Sequence, residues 1–267
     1  MKKSKTIFHC ILWLALYGVS YFLILLILAL VFREHKINEL KEIYPLVQHN
    51  MLEKMFDAFL KTDNFKIEFM SFFKSHLALY TSLNLIPLCI FTLKYKKMKP
   101  KKNVITRNSL LHIFIISLVF SVVLNIVLSQ FSYQEISLNV WYIFLSGIIG
   151  PITEELFFRG ILYQKLQTSF SKKVSFIIII FIFTILHQNL TTMIYAFIMG
   201  IWFTYLFDKY KNIKISIFAH ITGNIIVPLI IPYIYVQTQN YKISFLFFLG
   251  MIFFFTFLQT KSKENRE

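Results

Sequence analysis

The chain has 267 residues, of which 57% are hydrophobic and only 15% charged, and its formal net charge is +15. Soluble domains carry about 25% charged residues, so this composition argues against a soluble enzyme and against a disordered chain. Two cysteines are too few for a disulfide scaffold. The basic residues stand in short runs between apolar segments, which is typical of membrane-protein loops and not of a nucleic-acid-binding surface.

The apolar segments are long enough to cross a bilayer, since one spanning helix needs roughly 20 such residues. The sequence predicts an all-α fold, a polytopic membrane helix bundle of about eight transmembrane helices in a single integral membrane domain, 1–267. The predicted spans are 7–32, 75–93, 110–129, 138–162, 174–189, 192–207, 215–235 and 243–259. A polar stretch after the first span contains a predicted amphipathic helix around Met51 to Leu60.

The orientation follows from the loops, because cytoplasmic loops of membrane proteins carry the excess of Lys and Arg. With eight spans, that excess falls on the side of both termini, which predicts a multi-pass protein of the cell membrane with cytoplasmic termini. The first apolar run, 7–32, is longer than a signal-peptide core and is interpreted as a retained anchor. The Lys- and Phe-rich composition is typical of a bacterial chain. No oligomeric state is indicated.

Three charged residues interrupt the fourth predicted span. Glu154, Glu155 and Arg159 each cost about 2.5 to 3.5 kcal/mol near the centre of a membrane helix, so they should face protein or a water-filled cavity. Glu155 and Arg159 are four residues apart and can pair, whereas Glu154 is rotated by about 100° toward another neighbour. A structural ion pair alone is the simpler interpretation. Gly150 and Pro151 predict a local break just before these residues.

Two later predicted helices carry further polar residues. His187 lies near the end of the fifth span, while His220 and Asn224 lie four residues apart on one face of the seventh. Taken alone, a histidine in a membrane helix is more often a hydrogen-bonding partner of another helix than a catalyst.

Together these residues resemble a known family. Residues 154–159, EELFFR, look like the EExxxR signature of the CAAX protease and bacteriocin-processing family, also called CPBP or Abi. Phe183 with His187 matches the FxxxH element of that family, and His220 with Asn224 matches its HxxxN element. The three motifs occur in the family order on three separate predicted helices.

The resemblance covers a motif-bearing core at 136–228 and implies an intramembrane endopeptidase that hydrolyses a membrane-associated peptide or protein. It implies that Glu154, with His187, activates a water molecule and that Glu155, paired with Arg159, holds these groups in position. It also implies that His220 and Asn224 donate hydrogen bonds to the developing oxyanion. On chemical grounds, peptide hydrolysis requires an activated water, a proton donor for the leaving amine and stabilisation of the oxyanion.

Two questions stay open from the sequence. Glu154, His187 and His220 could ligate a zinc ion with one position left for water, but the sequence lacks the compact HExxH arrangement, so glutamate-activated water without an obligatory metal is favoured. The alternative functions are a non-catalytic membrane scaffold or bacteriocin self-immunity protein, and a proton-coupled transporter. A transporter would carry an internal repeat, which the sequence does not show.

Overall fold

The structure is a computed structural model that describes residues 2–96, 106–129, 140–187 and 189–238. Every regular element in these ranges is helical, in agreement with the predicted all-α fold. The helices are α1 (Lys2–Ile43), α2 (His49–Phe59), α3 (Asn64–Ser75), α4 (Leu77–Leu83), α5 (Leu85–Lys96), α6 (Arg107–Ser129), α7 (Val140–Phe144), α8 (Gly150–Phe157), α9 (Gln164–Gln167), α10 (Lys172–Ile185), α11 (Leu190–Tyr210) and α12 (Ile213–Thr238).

Two π-helical segments, π1 (Leu145–Ile149) and π2 (Phe158–Tyr163), join α7, α8 and α9 into one helical run, Val140–Gln167. We call this run the α7–α9 helix. The sequence predicted a local break at Gly150 and Pro151. Helix α8 begins at Gly150, and the break takes the form of the π1 segment within a continuous helical run. Pro151 has no N–H to donate, so the turn before it widens by one residue into π1 rather than ending the helix.

Five helical segments within the described residues are long and apolar enough to cross a membrane, and the chain is therefore a multi-pass membrane protein. They are Lys2–Ile43, Leu77–Lys96, Arg107–Asn125, Val140–Gln167 and Leu190–Tyr210. The predicted count of eight stays a prediction. Helix α10 has 14 residues, about 21 Å, which is less than the roughly 30 Å of a bilayer core. The predicted span 243–259 lies outside the described residues.

The predicted spans 174–189 and 192–207 place the connection between these helices at residues 190–191, but α11 already begins at Leu190. The cause is a capping box, in which the Asn189 side chain accepts from the Thr192 backbone N–H at 2.9 Å and the Thr192 hydroxyl accepts from the Asn189 N–H at 3.3 Å. These two bonds satisfy donors that a helix start leaves unpaired. Gln188 itself lies outside the described residues.

The chain divides into two compact units, one made of Met1–Cys10 with Leu88–Glu267 and the other of Ile11–Pro87. In the second unit, the core consists of Phe32, Ile37, Leu52, Phe56 and Phe72. Leu52 and Phe56 are one turn apart on α2, so this helix is amphipathic and its apolar face packs into the core, which places it where the sequence predicted an amphipathic helix. Lys36 pairs with both Glu39 and Glu68, and Arg33 pairs with Glu53, around this core.

In the first unit, α6, α11 and α12 share a core of Ile113, Met199, Phe203, Leu206, Ile215 and Ala219. Polar bonds between helices add to this packing. Trp202 donates to the Ser117 hydroxyl at 2.9 Å, and the Tyr195 hydroxyl donates to Ser121 at 3.1 Å. Bonds of this type hold membrane helices together, where the hydrophobic effect between helices is weak. Helix α12 also packs on α8, and α10 packs on α11 and π2, so both α10 and α12 contact the part of the chain that carries the polar residues of α8 and π2.

Candidate active site

The centre of the candidate site is an ion pair between Glu155 and Arg159. The Arg159 Nη1 atom lies 2.9 Å from Glu155 Oε1, and both side chains are fully buried. The four-residue spacing predicted this pair. Arg159 also donates to the Thr204 hydroxyl at 3.3 Å and to the Gly200 carbonyl at 3.2 Å, both on α11. The Arg159 guanidinium therefore donates to three acceptors, and these bonds offset the cost of removing its charge from water.

Two aromatic rings and a glycine enclose Arg159. Its Cζ atom lies 4.3 Å from the centre of the Phe183 ring and 5.7 Å from that of Phe203, at cation–π distances. Gly200 permits this packing, because a Cβ atom there would lie 3.1 Å from Phe183 and 3.5 Å from Arg159 Nη2. Helix α11 can thus approach the guanidinium closely enough for a backbone carbonyl to accept from it.

His220 connects α12 to both glutamates. Its Nδ1 atom lies 3.0 Å from Glu155 Oε1 and its Nε2 atom lies 4.0 Å from Glu154 Oε2. Because an ionised carboxylate only accepts, Nδ1 carries the proton of the bond to Glu155. The ring stacks on Phe203 at 4.4 Å between centroids. The imidazole is therefore held in orientation by the stacked ring on one face and by the hydrogen bond at Nδ1.

The two neighbouring glutamates occupy different surroundings. The Glu155 side chain is 0% exposed and is bonded to Arg159 and His220, whereas the Glu154 side chain is 27% exposed. Because adjacent residues on a helix point about 100° apart, one carboxylate turns into the packed centre and the other toward an accessible space. Of the two, only Glu154 is open to an incoming water or substrate.

Asn224 supports the widened turn π1. Its amide Nδ2 donates to the Ser146 carbonyl at 3.0 Å, across 78 residues of sequence. That carbonyl has lost its helical partners: the Gly150 N–H donates to Leu145 instead, and Pro151 has no N–H. Gly147 allows α12 to come this close, since a Cβ atom there would lie 2.8 Å from Ile225. The second N–H of the Asn224 amide is not used in this bond.

His187 lies in the turn after α10. Its Nδ1 atom is 2.8 Å from the Phe183 carbonyl, and because a carbonyl only accepts, Nδ1 is the donor. In a neutral ring, Nε2 is then the nitrogen with the free lone pair. The His187 ring meets the edge of Phe183 at 4.9 Å, and Phe183 meets His220 at 6.3 Å. Phe183 therefore contacts both imidazoles, while the described hydrogen bond of His187 is to its own helix and not to Glu154.

The structure thus brings Glu154, Glu155, Arg159 and His220 into one cluster. Asn224 adjoins it through π1, and His187 adjoins it through Phe183. The contributions of Ser146, Gly200, Phe203 and Thr204 to the site were not predicted from the sequence. Pro151 lacks an N–H, and this could have indicated a carbonyl without a helical partner near Ser146. No local pattern indicates that Phe203 and Thr204 neighbour an arginine 44 and 45 residues earlier in the chain.

The geometry also bears on the ligand set considered for zinc. Among the described residues, the structure forms no group of three or more His, Cys, Asp or Glu side chains that could hold a metal ion. Glu154, His187 and His220 are thus not grouped as three ligands, and their role as a zinc site stays a prediction.

The fold and this cluster define a multi-pass helical membrane protein with a buried ionic and imidazole site between its helices. The family model described as "Type II CAAX prenyl endopeptidase Rce1-like" matches residues 136–226, in agreement with the family that the motifs resemble. The curated protein "Putative membrane peptidase YdiL" of Bacillus subtilis (strain 168) is 37% identical over 86 residues. These residues make up 31% of this chain and 34% of the relative, so the chain spans about a third of the relative's length. No solved structure matches the chain.

Proposed function

We propose that this protein is an intramembrane endopeptidase that hydrolyses a peptide bond of a membrane-associated peptide or protein with a Glu154-activated water. The observation that supports it best is the difference in burial and in hydrogen-bond partners between two adjacent carboxylates. Glu155 is fully buried, pairs with Arg159 and is hydrogen-bonded to His220, while Glu154 is accessible and lies 4.0 Å from His220 Nε2. The match to an endopeptidase family and to a relative named as a membrane peptidase supports the same reaction.

Water activation is assigned to Glu154. Its accessible carboxylate can accept a proton from a water molecule, which a carboxylate already bonded to an arginine does less readily. His187 assists, because its Nδ1–H is donated to the Phe183 carbonyl and Nε2 is left to accept a hydrogen bond from the same water. The water needs two acceptors so that its lone pair points at the substrate carbonyl.

Oxyanion stabilisation is assigned to His220 and Asn224. In a doubly protonated ring, His220 has an Nε2–H in addition to the Nδ1–H that it donates to Glu155. Its Nε2–H then faces the accessible side of the cluster. Asn224 contributes the amide N–H that is not bonded to Ser146. Donors that are fixed before the reaction stabilise developing charge at little reorganisation cost.

The reaction balances with these groups alone. The water oxygen bonds to the peptide carbonyl carbon while a water proton moves to the Glu154 carboxylate, which gives a tetrahedral oxyanion held by His220 and Asn224. The C–N bond then breaks, and the proton on Glu154 passes to the leaving nitrogen. The products are a carboxylic acid and an amine, and Glu154 returns to its ionised form. The proposed mechanism uses no metal ion.

Glu155 and Arg159 are positioning residues in this proposal. Neither reaches the accessible space, because both side chains are fully buried. Glu155 holds Nδ1 of His220, and this bond fixes which imidazole nitrogen faces Glu154. Arg159 in turn ties Glu155 to the backbone of α11 through Gly200.

The experiment that tests the proposed function compares cells that express the wild-type chain with cells that express Glu154→Gln at equal membrane levels. New peptide termini in the membrane proteome are quantified by mass spectrometry. Termini that depend on the wild-type protein should fall by roughly a hundredfold or more in the variant, since loss of a general base typically costs 10²- to 10⁴-fold in rate.

Glu42→Gln is the matched control, because it makes the same chemical change at an exposed glutamate of α1 and should leave the termini unchanged. If the wild-type chain generates no new termini, or if Glu154→Gln generates the same ones, proteolysis is rejected. A cellular phenotype that survives Glu154→Gln would then indicate the non-catalytic scaffold or immunity function.

A further inference from the structure

A pocket lies away from the cluster of charged residues, between the start of α10 and the end of α11. It has a volume of about 700 Å³. Lys172, Lys173 and Lys209 line it together with the apolar surfaces of Phe176, Ile177 and Tyr205. The proposed mechanism does not use this pocket. A lysine rim above an apolar floor is the arrangement that an amphiphile with a negative head group requires.

The rim carries a net positive charge even though Asp208 also lines the pocket. Asp208 is largely buried and already accepts from Lys211 at 2.6 Å and from the Tyr163 hydroxyl at 2.6 Å. Lys172 lies 3.5 Å from the same carboxylate, at ion-pair distance. One acidic group therefore faces several ammonium groups. The first turn of α10 contains no acidic residue, so the positive end of its helix dipole adds to the charge.

The floor continues as an apolar seam along both helices. On α10, Ile177, Phe181 and Ile185 follow at four-residue intervals and are 67%, 63% and 50% exposed. On α11, Tyr205, Ile201 and Phe197 follow in the same way and are 45%, 39% and 49% exposed. Residues four apart lie on one helix face, so two exposed apolar stripes lead from the lysine rim along the length of the helices.

The rim also lies at the strongly basic end of these helices. Lys165, Lys211 and Lys214 flank it in sequence, and the distribution of basic residues predicts that this end faces the cytoplasm. Anionic lipids give that face of a membrane its negative surface potential, and basic pockets between membrane helices on that side bind anionic head groups.

We propose that this pocket binds an anionic glycerophospholipid. The phosphate lies among Lys172, Lys173 and Lys209, and an acyl chain lies on the seam that begins at Ile177 and Tyr205. A soluble phosphate compound would use the rim but not the seam, and a zwitterionic lipid would use the seam with a weaker hold on the rim. A lipid with a net negative head group would bind both the lysine rim and the apolar seam, and for this reason we assign it as the occupant.

The test titrates phosphatidylglycerol and phosphatidylcholine of identical acyl chains into the full-length protein in detergent, with bound lipid counted by native mass spectrometry. The wild-type chain should bind phosphatidylglycerol at least tenfold more tightly. The variant Lys172→Gln/Lys173→Gln/Lys209→Gln should lose about tenfold or more of that affinity, since each lysine near an anionic head group contributes roughly fivefold. The corresponding triple Arg variant should retain it.

Lys2→Gln/Lys5→Gln/Lys96→Gln is the matched control, because it removes three exposed lysines from the same predicted side of the membrane. It should change the affinity less than twofold. Ile177→Trp fills the floor and leaves every charge in place, and it should weaken phosphatidylglycerol binding without lowering the thermal transition of the protein. This variant keeps the test valid if the glutamine triple variant does not fold.

Three results would overturn the proposal. They are equal affinity of the wild-type chain for the two lipids, equal loss in the site and control triple variants, and complete displacement of the lipid by millimolar inorganic phosphate. The last result would identify a simple phosphate site. None of these outcomes depends on the proposed peptidase activity.

Discussion

Glu154 and Glu155 carry the same functional group, but their environments differ in accessibility and in hydrogen-bond partners. Glu155 is enclosed with Arg159 and His220, and Glu154 is 27% exposed beside the same imidazole. The difference arises from one step of helical rotation. Glu155, with its two fixed partners, maintains the positions of Arg159 and His220. Glu154, which has no comparably short bond to them, is the carboxylate suited to accept a proton and return it.

The first prediction at this scale concerns the buried ion pair. Arg159→Met leaves the Glu155 charge buried without its principal partner and should lower the free energy of unfolding in detergent by about 3 to 5 kcal/mol. Glu155→Gln/Arg159→Met should cost less than the single arginine change, because no uncompensated carboxylate remains.

Arg33→Met provides the comparison, since Arg33 pairs with Glu53 at a partly exposed position and should cost at most about 1 kcal/mol. Equal losses for the two arginine variants would contradict the structural role assigned to Arg159.

A second residue-scale prediction concerns metal ions. Because Glu154, His187 and His220 are not grouped as metal ligands, cleavage by the purified protein should survive prolonged treatment with a strong chelator. A known zinc-dependent protease in the same buffer verifies that the chelator is effective. Loss of cleavage that zinc alone restores would replace the proposed mechanism with a metal-dependent one.

At the scale of elements, the site depends on irregularities in otherwise regular helices. The π1 segment exposes the Ser146 carbonyl to Asn224, and π2 contains Arg159 and the fully buried Leu162 and Tyr163. A widened turn shifts the side chains that follow it around the helix axis, and π segments occur frequently at functional sites. The α7–α9 helix therefore presents several polar groups to different neighbours within a short length.

Gly200 provides the prediction at this scale. Gly200→Val places methyl groups against Phe183 and the Arg159 guanidinium and should lower the free energy of unfolding by about 1 to 3 kcal/mol. Proteolysis should fall as well, because Arg159 would no longer hold Glu155 against α11.

Gly18→Val is the control, since nothing lies within 4 Å of a Cβ atom at Gly18, and it should change stability by less than about 0.5 kcal/mol. Thermal unfolding of the two variants in the same detergent distinguishes a specific contact from a general effect of the added side chain.

At the scale of the whole molecule, the distribution of charge predicts how the chain is inserted. Basic residues outnumber acidic ones at the termini and in alternate loops, whereas the stretch 33–74 contains seven acidic and seven basic residues. The positive-inside rule therefore predicts that this stretch is outside and that the loop before α12 is cytoplasmic.

Cysteine labelling tests this orientation. In a Cys10→Ser/Cys89→Ser background, Lys61→Cys should react with a membrane-impermeant maleimide in intact cells, and Lys214→Cys should react only after permeabilisation. Both lysines are exposed on the protein surface, so a difference in reactivity reports the side of the membrane. The reverse pattern would show that the predicted orientation is wrong.

Several features of this protein were determined by local sequence. The membrane class follows from apolar segments whose length matches the bilayer, and the helical form follows because a backbone in lipid must satisfy its own hydrogen bonds. The Glu155–Arg159 pair follows from a spacing of four residues within one helix. The motifs at residues 154–159, 183–187 and 220–224 are also local, and for this reason the order of amino acids is sufficient to match them to a family.

Other features were decided by tertiary structure alone. His220 reaches Glu155 across 65 residues, and Asn224 reaches Ser146 across 78, because α12 packs against the α7–α9 helix. Phe183 stands out in sequence only as the first letter of a motif, yet its ring contacts Arg159 and both imidazoles. Spacing within one helix sets which residues share a face, but the partner of that face depends on how separate helices pack, and that is a property of the whole chain.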